Sequence, residues 1–295
     1  MTKTAFIAIV GCPNVGKSSL LNQMLGQKIA IVSSKPQTTR TKIMGVLTRG
    51  ETQLVFTDTP GYHKPHNKLG EKMNQAVGDS IGGVDACLFV VEAKGEIKKG
   101  ERELLEKFAK LKVPVILAIN KTDMLCDKKE LLERIVQLSS LYDFQAVVPV
   151  CATNGENVDE LLDELEKLAF ESVHFFPDDT LTDQPERVLV AEMIREKILR
   201  LMDKEIPHGI AVSVEKMRER DRQDILDIEA TIYCERESHK GMVIGKKGAM
   251  LKKISTYARQ DLENFFQIKV NLQTWVKVKE DWRNREGLIH NFGLD

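Results

Sequence analysis

Apolar and polar positions along the first 170 residues form two alternating kinds of pattern. TAFIAIV (4–10), VDACLFVVE (84–92), VPVILAIN (113–120) and FQAVVPVCA (144–152) are short, nearly continuous apolar runs. Their length and β-branched content predict strands buried on both faces. Between them, KSSLLNQMLG (17–26), GERELLEKFAKL (100–111), KKELLERIVQLSSL (128–141) and NVDELLDELEKLAF (157–170) repeat apolar residues at three- and four-residue spacing. That spacing predicts amphipathic helices, the first closed by Gly26 as a C-cap. IMGVLTRGETQLVFTDTP (43–60) reads as two strands turned at Arg49-Gly50-Glu51. The alternation predicts an α/β fold, a mostly parallel sheet covered by helices on both faces, with the hairpin adding one antiparallel strand.

The pattern then breaks. HFFPDDTLTDQPER (174–187) holds two prolines and four acidic residues without periodicity, which predicts a linker. Expected domain bounds are therefore 1–172 and 187–295, joined by a linker at 173–186. Beyond it, RVLVAEMIREKILRLMD (187–203) is helix-periodic, and IPHGIAVSVEKMRER and ILDIEATIYCERE read as strands. GMVIGKKGAMLKK opens a long helical run, and KVNLQTWVKVK (269–279) alternates cleanly. This second part predicts a small α+β unit with one half-exposed sheet.

Composition changes this picture in one place. The chain of 295 residues is 42% apolar and 29% charged with a net charge of −1, ordinary for a globular protein of two domains. Between Lys240 and Arg285, however, eleven Lys/Arg face four Asp/Glu, which points to a polyanionic partner. The five cysteines are odd in number and without a CxxC pair, which predicts reduced thiols rather than a disulfide frame or zinc site. No apolar stretch reaches the length of a membrane span, and AFIAIV is too short for a signal peptide. An intracellular, cytoplasmic protein is expected.

The candidate chemistry sits in the loops. GCPNVGKS (11–18) fits G-x-x-x-x-G-K-[ST] between a predicted strand and helix, a loop whose backbone N–H groups wrap phosphates. Gly11, Asn14, Val15, Gly16, Lys17, Ser18 and Ser19 are its expected nucleotide contacts. Lys17 would reach the β/γ oxygens and Ser18 would ligate Mg²⁺. NKTD (120–123) follows the strand VPVILAI, and its aspartate can accept two parallel hydrogen bonds from guanine N1–H and the 2-amino group. Adenine lacks that donor pair, so Asp123 selects guanine; Asn120 would tie the base loop to the phosphate loop, and the Lys121 stem would lie over the purine. DTPG (58–61) places Asp58 to hold Mg²⁺ through water and the Gly61 N–H to sense the γ-phosphate. In the polar segment SSKPQTTR (33–40), Thr39 is the candidate second Mg²⁺ ligand and Thr38 the alternative. Lys17, Thr39 and Gly61 are the candidates for acting on the γ-phosphate, and Cys151-Ala152 would meet the guanine O6 through backbone.

These stretches, in this order, resemble the translation-factor-like class of P-loop GTPases over roughly residues 4–170. The resemblance implies a six-stranded, mostly parallel sheet and the reaction GTP + H₂O → GDP + phosphate. Tyr62 stands after DTPG where the best-studied members carry a water-orienting glutamine, so the water must be positioned otherwise. Asn14 resembles the asparagine of GTPases that recruit K⁺, which implies slow basal turnover raised by K⁺ or a partner.

GKKG (245–248) is too short to wrap a triphosphate, and no Ser or Thr follows it. With an apolar lead-in and a helix after it, the loop resembles that of a type II KH domain, which clamps single-stranded nucleic acid. Gly245 and Gly248 permit close approach, and Lys246, Lys247, Lys252 and Lys253 meet phosphates. Trp275 either widens the basic surface or packs under WRNREG. Together, KPQTTR, DTPGYH, VIGKKGAMLKKI and TWVKVKEDWRN resemble the bacterial ribosome-assembly GTPases that carry a KH domain. This resemblance implies GTP/GDP and Mg²⁺ as cofactors, and the 3′ end of 16S rRNA and the 30S subunit as partners. It further implies a GTP/GDP-set domain arrangement, a peripheral membrane fraction and a monomer. Competing classes are an RNA-binding regulator that uses GTP only as a ligand, and a KH GTPase acting on another nucleic acid.

Overall fold

The computed structural model describes residues 1–65, 67–203, 206–220 and 223–294. The chain divides into two compact units. The first holds Met1–Ala30, Thr39–Pro65 and Gly70–Asp183; the second holds Gln184–Asp295 together with two short pieces, Ile31–Thr38 and His66–Leu69.

In chain order the first unit holds β1 (Lys3–Val10), α1 (Lys17–Leu25), β2 (Ile43–Arg49), β3 (Thr52–Asp58), α2 (Lys68–Ile81) from Gly70 onward, β4 (Ala86–Glu92), α3 (Lys99–Leu111), β5 (Val115–Asn120), α4 (Lys128–Ser139), β6 (Ala146–Val150), α5 (Val158–Glu166) and β7 (Phe170–Glu171). The sheet order is β2-β3-β1-β4-β5-β6, parallel except for β2, with the two-residue β7 antiparallel to the start of β1. The continuous apolar runs behave as their pattern predicts. In β1, Ala5, Ile7 and Ile9 pack against α1 and α5, while Ala8 and Val10 join α2, α3 and α4 on the opposite face.

Two elements of this unit differ from the sequence prediction. Helix α2 was not among the predicted elements, because Gly70 and Gly78 interrupt it and its exposed faces are polar. Its only apolar signal is Leu69, Met73, Val77 and Ile81 at four-residue spacing, and all four are buried. Phe170, expected at the end of the last helix, instead opens β7, since α5 stops at Glu166.

The stretch 173–186 lies largely along the sheet. Gln53, fully buried in β3, accepts from Phe175 N–H (2.9 Å) and Phe176 N–H (3.1 Å) and donates to Phe176 O (2.9 Å). Val46 N–H donates to Leu181 O (2.9 Å) and Thr182 Oγ1 to Met44 O (2.6 Å), so this segment occupies hydrogen-bonding groups that edge strand β2 would otherwise present to solvent.

The second unit comprises α6 (Glu186–Leu201), β8 (Ile210–Glu219), β9 (Ile225–Cys234), α7 (Glu237–Ile244), α8 (Ala249–Phe266), β10 (Lys269–Val278) and α9 (Glu286–Asn291). Its sheet order is β10-β9-β8, with β9 parallel to β10 and antiparallel to β8. Val190, Ile194 and Ile198 of α6 and Ile254, Ala258 and Leu262 of α8 share one core with Ile228, Ala230 and Ile232 of β9. Trp282 is fully buried and donates Nε1–H to Gly209 O at 3.0 Å, whereas Trp275 of β10 is 43% exposed. Helix α7 is an addition to the prediction: eight residues with a central Gly241 carry too little periodicity to read.

Candidate guanine-nucleotide and nucleic-acid sites

Four of the predicted nucleotide stretches leave the C-terminal ends of β1, β3, β5 and β6, the edge where open α/β sheets bind ligands, and the fifth, 33–40, lies between α1 and β2. The loop after β1 closes on the N-terminus of α1, which begins at Lys17 and carries Ser18 and Ser19 in its first turn. Gly16 is left-handed (φ 97°), and a Cβ there would fall 2.2 Å from Asn120 Nδ2, so only glycine fits. Asn120 accounts for that closeness. Its Nδ2 donates to Val15 O at 2.8 Å and its Oδ1 accepts from Ala152 N–H at 3.0 Å, tying three loops together through one buried side chain.

The Lys17 ammonium is buried and donates to Gly11 O (3.2 Å) and Cys12 O (3.1 Å). Burial lowers its pKa, with Asp58 acting in the other direction. Ser18 Oγ donates to Asp58 Oδ2 at 2.6 Å and lies 2.8 Å from Thr39 Oγ1. Asp58 is fully buried, and burial pushes its carboxyl up to about 6 against the opposing effect of Lys17. Its second oxygen, Oδ1, has no hydrogen-bond partner.

Two hydroxyls and one carboxylate, all hard oxygen donors, are thus gathered with one buried carboxylate oxygen still lacking a partner, a donor set that fits Mg²⁺. Thr38 points elsewhere, bonded to Ser33 Oγ (2.9 Å) and Lys35 O (2.6 Å), with its carbonyl held by Arg195 of α6. Of the two threonines, the geometry brings only Thr39 to Ser18 and Asp58.

Around the base loop, Lys121 Nζ bridges Glu92 Oε1 (2.5 Å) and Asn14 O (2.6 Å). Asn14 itself is left-handed (φ 64°), a conformation asparagine tolerates better than most residues. Asp123 Oδ1 accepts from the buried Cys151 thiol at 3.1 Å, which orients the carboxylate expected to read guanine. Cys151 N–H donates to Glu156 O (3.1 Å) and Ala152 N–H to Asn120, so an O6 contact from either amide would share or exchange an existing bond. Two contributors escaped the sequence reading. Glu92, the only charge ending the β4 run, was readable as a strand-end polar residue, whereas the Cys151 side-chain contact had no local signal.

The second loop is open and basic. Lys246, Lys247, Lys252 and Lys253 are all exposed, and none forms an ion pair among the described residues. The loop joins helix to helix, α7 to α8, with Gly245, Lys247 and Gly248 at φ 72°, 52° and 79°. A Cβ on Gly245 would strike Met250 Cβ at 2.7 Å, which is why the first glycine cannot be replaced. Lys253 lies 5.8 Å over the ring of Tyr257, itself 42% exposed.

Comparison with known proteins matches this division. Residues 6–121 match the model of the 50S ribosome-binding GTPase family, and residues 205–283 match the KH domain. GTPase Era of Clostridioides difficile (strain 630) is 50% identical over 295 residues, covering 100% of this chain and 99% of that protein. GTPase Era of Clostridium kluyveri is 48% identical over 99% of both chains. The chain belongs to the GTPase Era family. It is a GTP-hydrolysing enzyme, with a P-loop GTPase domain followed by a KH domain. Two solved structures share its fold at TM-score 0.95 and 39% identity, each matched over at least 99% of both chains. One is a Tyr-to-Ala variant of Aquifex aeolicus Era bound to GDP·AlF₄⁻; the other is Era in complex with MgGDPNP and nucleotides 1506–1542 of 16S ribosomal RNA. Among the described residues no helix is long and apolar enough to cross a membrane.

Proposed function

We propose that this chain acts in small-subunit assembly and rRNA maturation, binding single-stranded 16S rRNA near its 3′ end and the 30S subunit. Its nucleotide state gates RNA binding through the arrangement of the two domains, bounded at 1–172 and 187–295. One observation carries this reading: a guanine-nucleotide site and a basic GxxG clamp occur on one chain whose relative holds MgGDPNP and 16S rRNA together. The protein is a monomer of the cytoplasm with a peripheral membrane fraction.

The loop amides of Gly11–Ser19 and Lys17 hold the phosphates, Asp123 reads the base, and Gly61 reports the γ-phosphate. Ser18, Thr39 and, through water, Asp58 hold Mg²⁺, which neutralises charge on the β- and γ-oxygens when bound. Binding of a labelled RNA ending in the 16S 3′ sequence, titrated with GDPNP-loaded and GDP-loaded protein, tests the proposal. About tenfold tighter binding with GDPNP is expected. Equal affinities would sink the gating, and preference for an unrelated RNA or for DNA would sink the assignment to 16S rRNA.

K⁺ is the proposed second cation, recruited through Asn14. Turnover should rise about tenfold on replacing Na⁺ by K⁺, and Asn14→Ala should erase the difference. Steady-state phosphate release in both salts measures this, and equal rates in the unaltered protein would remove K⁺ from the mechanism.

A further inference from the structure

Lys121 is held in a left-handed conformation (φ 66°, ψ 42°), which is unfavourable for a residue with a Cβ, and its ammonium is gripped from two sides. Nζ donates to Asn14 O at 2.6 Å and to Glu92 Oε1 at 2.5 Å. Asn14 is itself left-handed (φ 64°), so strained residues of two separate loops meet at one ammonium, and the carboxylate completes the grip.

Glu92 is placed by strand register and by charge together. It ends β4 opposite Asn120, the end of β5, and the next amide, Ala93 N–H, donates to Asn120 O at 2.8 Å. The strand end therefore sets a carboxylate beside the residue that follows Asn120. Its other oxygen, Oε2, accepts from Lys98 Nζ at 2.7 Å. Lys98 N–H donates to Glu101 Oε2 (2.9 Å), Arg134 pairs with that same oxygen (3.5 Å), and Arg134 Nε donates to Glu92 O (3.3 Å). These contacts close a ring through the start of α3 and through α4. Glu101 is fully buried and Arg134 is buried beside it, so the ring fixes Glu92 more firmly than an ordinary surface ion pair would. Burial raises the Glu92 pKa, but the two lysines outweigh it and hold the carboxyl below its ordinary value, so it is charged at neutral pH.

An ammonium clamped between a carbonyl and a carboxylate leaves the lysine stem few rotamers, and that stem is the part expected over the purine face. We propose that Glu92 is a positioning residue for the guanine nucleotide: it holds Lys121 across the base and thereby sets how long GTP and GDP stay bound. Glu92 acts through Lys121 rather than on the phosphates. It therefore governs dissociation and leaves both encounter and the hydrolysis of bound GTP alone.

The inference rests on the guanine site proposed above, and Lys121 separates its failure from failure of that site. Association and dissociation rates of fluorescent GDP and GDPNP are measured by stopped flow for the full chain, Glu92→Gln, Glu92→Asp, Lys121→Met and the Glu92→Gln/Lys121→Met pair. Glu92→Gln should speed dissociation about tenfold by removing one charge-assisted hydrogen bond, with association and single-turnover GTP hydrolysis unchanged within threefold. Glu92→Asp keeps the charge at shorter reach and should speed dissociation only about threefold. Lys121→Met should speed it about thirtyfold, and adding Glu92→Gln should then change it by less than twofold, because no ammonium is left to hold. The proposal is overturned if Glu92→Gln releases nucleotide at the unaltered rate while Lys121→Met does not. It is also overturned if the two losses multiply in the paired variant, which would give Glu92 a merely structural role. Unchanged dissociation in Lys121→Met would instead remove Lys121 from the base site, and the inference would fall with that reading. Should Glu92→Gln not fold, Glu92→Asp decides, and dissociation at the unaltered rate overturns the proposal.

Discussion

Asp123→Asn is expected to lower affinity for GTP by roughly two orders of magnitude and to raise affinity for XTP. The carboxylate is the only group of its loop that can accept both guanine N1–H and the 2-amino group, and each such charge-assisted bond is worth about 1.5–3 kcal/mol. An amide keeps one acceptor but turns an N–H toward the 2-amino group, a donor facing a donor. Xanthine carries a carbonyl at that carbon, so the amide that mismatches guanine matches xanthine. The Cys151 thiol beside Asp123 Oδ1 can donate to an amide oxygen as well as to a carboxylate, so the loop should hold its shape. Titration with fluorescent GTP and XTP, alongside RNA binding, reads the result. GTP affinity within threefold of the unaltered protein would remove Asp123 from base recognition, and loss of RNA binding as well would indicate a damaged fold.

Changing GKKG to GDDG (Lys246→Asp with Lys247→Asp) is expected to weaken RNA binding at least about a hundredfold and to leave GTP affinity intact. Both lysines are exposed at the tip of the loop, and the change turns two phosphate-attracting charges into two that repel. Removing two phosphate contacts from a single strand should also flatten the salt dependence, by about 1.4 in the slope of log K against log salt. The two glycines are kept, so the left-handed turns at φ 72° and 79° survive and the loss reports charge rather than backbone shape. RNA titrations across a range of KCl concentrations decide it. An unchanged slope would mean that these lysines do not contact the RNA backbone.

Much of this was legible beforehand, and unevenly. The parallel strands could be read because strands buried on both faces must be apolar throughout, and the loops because phosphate and guanine recognition demand particular residues in a fixed order. Helix α2 could not, because only Leu69, Met73, Val77 and Ile81 face the core and the glycines between them mask the period. Its absence from the prediction also hid Asn74, and with it the placement of His63. Helix α7 was hidden by its shortness, so GKKG was expected after an apolar lead-in and instead joins two helices.

The choice between Thr38 and Thr39 shows where sequence stops. Both are adjacent hydroxyls in one polar segment, and nothing local ranks them. In the structure Thr39 reaches Ser18 and clusters with the first unit, while Thr38 turns to Ser33 and Lys35 and clusters with the second. The sequence by itself determined the two-domain order, the strand and most helix positions, and where the GCPNVGKS, NKTD and GKKG loops fall between them, because each depends on periodicity or on residues close together in the chain. Only the tertiary structure decided which side chains meet: Lys121 with Glu92, Cys151 with Asp123, Ser18 with Thr39 and Asp58, and Asn74 with His63. Most of these pairs lie far apart in the chain and meet because the sheet gathers its loops at one edge. A local pattern encodes the face a residue presents, while its partner is set by the strand order that brings distant loops together.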